Sequence, residues 1–132
     1  MNRRAVFLPL LLILSLTACK PSADESLDKI ARAWQVNKYY EDNNDLTPTF
    51  KSENKNYTLQ FYEDYSYLES AVVNDTFRTT AGTWQFNEGL DSLYLYNDVD
   101  THHYFIRLLR LKNLNIREVI STTTYDYLMV DY

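Results

Sequence analysis

The sequence predicts an all-β domain, an antiparallel meander barrel of about eight strands with one short N-terminal helix. Short runs in which apolar and polar residues alternate recur every 8 to 12 residues, with turn signals between nearly all of them. Tyrosine, which favours strands, accounts for 12 of the 132 residues. Short connections make neighbouring strands pair as hairpins, and closing the meander into a barrel removes both exposed edges.

The first predicted element is the helix. Apolar residues recur at helical spacing from Leu27 to Trp34, which predicts a short helix over about residues 24–32. Ser22 or Asp24 is the expected N-terminal cap. After the first strand, residues 41–48 are mostly polar and predict a loop. Pro48 also favours extended geometry at Thr47, the residue before it.

Eight strands follow from the alternation, each ending at a polar turn such as Asn74-Asp75. They are residues 33–40, 57–61, 67–72, 77–86, 93–96, 103–111, 114–120 and 125–132. A two-sheet sandwich has the same alternation, so the strand pattern leaves barrel and sandwich both open.

The first nineteen residues have the plan of a secretory leader. Arg3 and Arg4 are basic, and residues 6–16 are an apolar run of about eleven residues, shorter than the roughly 20 of a spanning helix. Leu16-Thr17-Ala18-Cys19 follows and resembles the lipobox of bacterial lipoproteins.

The lipobox resemblance implies cleavage before Cys19 and attachment of acyl chains to that residue. It divides the chain into a signal peptide (1–18), an acylated cysteine with a tether (19–26) and a barrel domain (27–132). Several buried acyl chains make a stable anchor, whereas one is marginal. The expected location is the bacterial cell envelope, anchored in the outer membrane, with the side it faces left open.

Charge argues against nucleic acid as a partner. The leader contains two of the 13 basic residues and none of the 18 acidic ones, so the mature chain has a net charge of −7. An acidic surface repels phosphate backbones and anionic headgroups. The acyl chains on Cys19 are therefore the expected contact with the membrane.

Short motifs in the folded part point to one family. Ala33-Trp34 opens the first strand, and Gly82-Thr83-Trp84-Gln85-Phe86 precedes a strand with Leu93 and Leu95. Together with the lipobox, these features resemble the small lipocalin-like lipoproteins of Bacteroidota. Arg32 occupies the position at which lipocalins proper have the glycine of Gly-x-Trp. The resemblance implies a lipocalin-like barrel over most of residues 27–132.

The interior of such a barrel is the candidate site. Eight strands enclose a space that side chains can fill or that can hold one small ligand. The candidate ligand-binding residues are Trp34, Phe61, Trp84, Phe86, Leu93 and Leu95. Other residues expected to face inward are Leu59, Ile106, Leu108, Leu114 and Ile116. The leading hypothesis is an envelope lipoprotein that binds a small hydrophobic ligand. The alternative is a non-catalytic interaction module, an accessory subunit or inhibitor of another envelope protein, with a filled barrel.

Catalytic and metal-binding patterns are weak in this sequence. His102 and His103 are the only histidines, and adjacent strand residues point to opposite faces. Serine lacks a Gly-x-Ser-x-Gly context, and carboxylate pairs such as Glu63-Asp64 lie in predicted turns. The sequence therefore predicts a protein that is not an enzyme and uses neither metal nor cofactor.

Overall fold

The computed structural model describes residues 21–132, and the predicted signal peptide and Cys19 lie outside this range. Within it the chain forms two helices and nine strands. In chain order they are α1 (Ala23–Ile30), β1 (Ala33–Glu41), β2 (Asn44–Asp45), α2 (Thr47–Glu53), β3 (Lys55–Phe61), β4 (Ser66–Val73), β5 (Thr76–Phe86), β6 (Ser92–Tyr96), β7 (Thr101–Leu109), β8 (Asn113–Ile120) and β9 (Thr123–Asp131). Neither helix in this part of the chain is long and apolar enough to cross a membrane.

Eight strands close into an antiparallel barrel. From β3 to β9 each strand pairs with the next along the chain, and β1 pairs with both β3 and β9. The β1–β9 ladder runs from Trp34–Asp131 to Glu41–Tyr125, which makes the sheet continuous around the barrel. The two-residue strand β2 pairs only with the last two residues of β1, Tyr40 and Glu41. The predicted meander barrel is confirmed, and the sandwich is excluded.

Helix α1 closes one end of the barrel. The Ser22 side chain accepts a hydrogen bond from the Glu25 backbone N–H at 3.2 Å, which is the predicted N-terminal cap. Ile30, at the end of the helix, is completely buried. The Ile30 carbonyl accepts from the Arg32 backbone N–H at 2.7 Å and from the Trp34 indole at 3.0 Å, so the first core residue of β1 is tied to the end of the helix.

Helix α2 lies where the sequence predicts the end of a polar loop. Pro48 is in the first turn of this helix, where its missing N–H costs nothing and its fixed φ favours helical geometry. The Asp45 carboxylate accepts from both the backbone N–H and the hydroxyl of Thr47, at 3.0 and 2.6 Å. Pro48 therefore starts a second helix that the sequence analysis did not predict.

Bulges interrupt the pairing of β3 with β4, between Lys55 and Thr58, and of two further pairs of strands. The β1–β9 register shifts between Val36 and Lys38, and the β7–β8 register shifts between Ile106 and Leu108. After the β7–β8 shift Leu109, not Leu108, packs against the core. The expectation that Leu108 faces the interior is therefore wrong, because an unbroken alternation was assumed across the bulge.

Candidate functional site

The barrel interior has two halves of different chemistry. The half next to α1, called here the packed end, holds Trp34, Phe61, Trp84, Phe86 and Leu93. The Trp84 ring lies edge-on to Phe61 and Phe86, with centroids 5.3 and 5.2 Å apart. Trp34, Phe61 and Leu93 are completely buried. This half is filled with side chains.

The opposite half, called here the tyrosine-rich end, contains a cavity of about 250 Å³. Its aromatic wall includes Tyr57, Tyr67, Tyr104 and Tyr127. Its polar wall includes Glu69, Asn97, His102 and Glu118. Three larger depressions, of about 330, 360 and 320 Å³, lie beside α2, on the outer face of β8 and β9, and between α1 and β7. The 250 Å³ space is the one that opens into the barrel interior.

Strand alternation places these polar side chains inside. On β8 the inward positions are Leu114, Ile116 and Glu118, so the series begins apolar at the packed end and finishes with a carboxylate. On β3 the series Tyr57, Leu59, Phe61 begins with a tyrosine at the other end. The change from apolar to polar along each strand therefore creates the two halves.

Hydrogen bonds hold the polar wall in place. The Tyr57 hydroxyl donates to Glu69 Oε2 at 2.6 Å. His102 Nδ1 lies 2.8 Å from Glu118 Oε1, and Glu118 is only 7% exposed. The Asn97 amide donates to the Tyr67 hydroxyl at 3.2 Å. Four strands and the residue after β6 thus contribute to this end of the barrel.

Burial changes the acidity of the tyrosines. The pKa of Tyr104 is raised far above its ordinary value by burial and then by the charge of Glu118. The pKa of Tyr57 is raised by burial and by Glu69, and that of Tyr127 by burial and by Glu118. These hydroxyls therefore stay protonated over the physiological range and act as hydrogen-bond donors as well as acceptors.

Phe50 of α2 covers the tyrosine-rich end. Its ring centroid lies 4.7 Å from Tyr39, 5.3 Å from Tyr57 and 6.1 Å from Tyr127. The start of α2 is fixed to β1, because the Thr47 hydroxyl accepts from the Tyr39 backbone N–H at 2.9 Å. The helix therefore places an apolar side chain over the cavity.

An adjoining recess of about 170 Å³ continues the cavity outward along β4 and β5. It shares Tyr57, Glu69 and Thr80 with the cavity and adds Arg78. Arg78 and Thr80 are exposed, because β5 pairs with β6 only from Thr83 onward. This gap beside β5 is an open route between the cavity and solvent.

The six predicted ligand-binding residues are divided between the two halves. Leu95 lines the cavity, whereas Trp34, Phe61, Trp84, Phe86 and Leu93 form the packed end. The polar cavity residues were missed, although extending the predicted alternation from Ile116 reaches Glu118 and from Leu59 reaches Tyr57.

The two histidines have different surroundings. His102 contacts Glu118 inside the barrel, and His103 stacks on Tyr94 outside it, with ring centroids 4.6 Å apart. Within residues 21–132, no three His, Cys, Asp or Glu side chains are grouped so as to hold a metal ion.

No protein-family model matches the sequence, and no curated protein matches it either. Solved structures do match its fold. A lipocalin-like protein from Bacteroides uniformis superposes with a TM-score of 0.61 at 11% identity, over 79% of this chain and 99% of that one. This chain has a lipocalin-like fold.

Mammalian structures match the same lipocalin-like fold. Bovine odorant binding protein in complex with a selenium-containing odorant gives a TM-score of 0.53 at 13% identity, covering 87% of this chain and 78% of that one. The same bovine protein in complex with undecanal gives 0.53 at 13%, covering 86% and 77%. At such low identity the likeness is one of fold.

Proposed function

We propose that this protein binds a small ligand at the tyrosine-rich end of its barrel. The observation that carries the proposal is the 250 Å³ cavity inside an otherwise packed interior. Pockets for drug-sized molecules occupy about 300–1,000 Å³, so this cavity suits a smaller molecule with an apolar body. The bovine protein of the same fold binds odorants and undecanal, which supports an intrabarrel site.

Access to the cavity fits such a role. Phe50 on α2 covers the end of the barrel, and the recess beside β5 is open at Thr80. Helix α2 is short, and moving it would break the Thr47 hydrogen bond and the ring contacts of Phe50 while leaving the strand pairs intact. Either route, movement of α2 or the recess beside β5, would let a ligand enter while the strands stay paired.

We also propose that the protein is a lipoprotein of the bacterial cell envelope. The support is the Leu16-Thr17-Ala18-Cys19 motif, which predicts acylation of Cys19 and anchoring in the outer membrane. The test is the substitution Cys19→Ser. It is expected to abolish labelling by radioactive palmitate and to release the protein from the membrane fraction; retained labelling would contradict the anchor.

The alternative function, an interaction module for another envelope protein, needs a filled barrel. Five of the six predicted large residues do fill the packed end, but Leu95 faces open space. The cavity therefore favours ligand binding over the interaction module. If no small molecule binds in the cavity, the interaction module becomes the favoured function.

The direct test uses the soluble form, residues 20–132. The closed circle of strands and the core cluster from Ile30 to Met129 both lie within it, so it is expected to fold without its anchor. 2-Phenylethanol is titrated into ¹⁵N-labelled protein and amide shifts are followed. Shifts concentrated on β4, β7 and β8 near the cavity support the proposal.

A plug variant gives the matched control. Thr80→Trp places an indole in the cavity, whereas Thr79→Trp places it on the outer face of the same strand, since neighbouring strand residues face opposite ways. The first is expected to abolish the shifts and the second to leave them. Equal shifts in both variants, or shifts confined to the outer surface, would refute a site inside the barrel.

A further inference from the structure

We propose that the ligand of the barrel cavity is a small organic cation, whose ammonium group is held by Glu69 and Glu118. This inference rests on the proposed function, since it names the ligand class for the same cavity. The apolar body of the cation would lie against the tyrosine rings. The argument depends on the charges of the lining, the unused acceptors and the aromatic wall.

The charged lining of the cavity is acidic. It includes the carboxylates of Glu69 and Glu118 and the imidazole of His102, and no lysine or arginine. Arg78 lies outside, in the exposed adjoining recess. Even with His102 counted as the partner of Glu118, Glu69 has no cationic side chain in the lining. The cavity therefore has an unbalanced negative charge.

Each carboxylate has an oxygen to spare. Glu69 accepts the Tyr57 hydroxyl on Oε2, and Glu118 faces His102 with Oε1. In the described part of the chain, their second oxygens receive no hydrogen bond. The hydroxyl of Tyr104, a residue only 9% exposed, also has no hydrogen-bond partner there, although it borders the cavity. These oxygens border the cavity without a hydrogen-bond partner among the described residues, and an ammonium group supplies three donors.

The aromatic wall suits a cation as well. Tyr104 and Tyr127 meet edge to face with centroids 6.1 Å apart, and Tyr57 and Tyr67 complete the wall. A cation within about 6 Å of an aromatic face is attracted to its electron-rich centre, most strongly where water is excluded. Carboxylates for the charge and rings for the body therefore occupy one cavity.

Neutral and anionic ligands fit this lining less well. A purely apolar ligand would bury the spare oxygens of Glu69 and Glu118 without partners, which is costly. An anion would meet two carboxylates with no cation between them except the paired imidazole. The lining therefore selects for positive charge.

The test compares three ligands of nearly equal size by calorimetric titration at pH 7. They are 2-phenylethylamine, which is protonated at this pH, 2-phenylethanol, which is neutral, and phenylacetate, which is an anion. The amine is expected to bind tenfold or more tightly than the alcohol, because hydrogen bonds between charged groups are stronger than those of a neutral hydroxyl. Phenylacetate is expected to bind weakest.

Isosteric variants locate the charge that matters. Glu69→Gln and Glu118→Gln keep the side-chain carbonyl that accepts from Tyr57 or faces His102, and each removes one charge. Each is expected to weaken amine binding roughly tenfold and to weaken alcohol binding much less, because only the amine has a charge to lose its partner. Glu88→Gln, in the exposed turn after β5, makes the same change in net charge away from the cavity and is expected to change neither.

The outcomes separate this inference from the proposed function. If the alcohol binds as tightly as the amine, or if Glu88→Gln weakens the amine as much as the cavity variants, the preference for a cation is overturned and the cavity remains a neutral binding site. If none of the three molecules binds and none shifts the cavity amides, the proposed function fails as well.

Discussion

Substituting Gly82 is the sharpest test of the way in which β5 meets β6. Pairing between these strands begins at Thr83–Tyr96, directly after Gly82. A Cβ at Gly82 would overlap the Tyr96 carbonyl oxygen and lie 2.8 Å from Tyr67 Cε1. The first contact is with backbone, which cannot rotate away, so Gly82→Ala must push β5 and β6 apart.

The expected loss follows from these contacts. Overpacking a closed interior costs about 1–3 kcal/mol, and a clash with backbone belongs at the top of that range. We therefore expect Gly82→Ala to lower the free energy of unfolding by about 3 kcal/mol, a large part of the 5–15 kcal/mol of an ordinary domain. It also displaces Tyr67, whose hydroxyl accepts from Asn97 at the cavity, so ligand binding is expected to fall too.

Urea unfolding followed by tryptophan fluorescence measures this loss, and the second glycine supplies the control. A Cβ at Gly89 would meet only the Asp91 carboxylate, at 3.4 Å, which is ordinary contact distance. Gly89→Ala is therefore expected to change stability by less than about 0.5 kcal/mol. If Gly82→Ala unfolds at the same urea concentration as Gly89→Ala, the close approach of β5 and β6 is refuted.

Three further predictions concern separate parts of the fold. Trp34→Phe removes a buried indole and its hydrogen bond to Ile30, and is expected to cost about 2–3 kcal/mol in urea unfolding. Two hydrogen bonds from Thr47 lower the pKa of Asp45 below its usual 3.8, so this group stabilises the fold above that pH and the stabilisation is lost as pH falls further. The melting temperature should therefore fall more steeply between pH 5 and pH 2 for the wild type than for Asp45→Ala. Burial raises the pKa of Tyr104, so its contribution to stability is complete below about pH 10 and is lost above it. Because Tyr104 does not ionise with the exposed tyrosines, Tyr104→Phe should leave the absorbance change at 295 nm near pH 10 unchanged.

Strand alternation was enough to predict the strands and their sequential pairing, because each hairpin is local, whereas closure into a barrel depends on the distant pairing of β1 with β9. The turn at Asn74-Asp75 is an example: both residues have positive φ, 50° and 60°, as a tight hairpin requires. The bulge between Ile106 and Leu108 was not predictable, since it arises from the pairing of β7 with β8 and has no signal in β7 alone. The second helix was missed for a different reason. A proline is found both after the end of a helix and in its first turn. Here it is in the first turn, where the Asp45 carboxylate accepts from the Thr47 backbone N–H.

Of the six predicted ligand-binding residues, only Leu95 lines the cavity, and the other five lie at the packed end. Large apolar residues are typical of a barrel core as well as of a ligand wall, because they pack well against each other and leave no space, as Trp84 does between Phe61 and Phe86. Polar residues at inward positions are the better indicator of a cavity. Glu118 was in the predicted strand and in phase with Ile116, and this was the signal available from the sequence.

The two carboxylates also explain why the cavity stays open. Filling the space beside Glu69 and Glu118 with apolar side chains would strand buried charges, at a cost of several kcal/mol for each unpaired ion. Leaving the space open lets water or a ligand solvate the spare oxygens. The tyrosines around them serve both states, because each presents an apolar ring and a polar tip. The packed end has apolar side chains at its inward positions and is filled, so the two carboxylates account for the space in which we propose that a ligand binds.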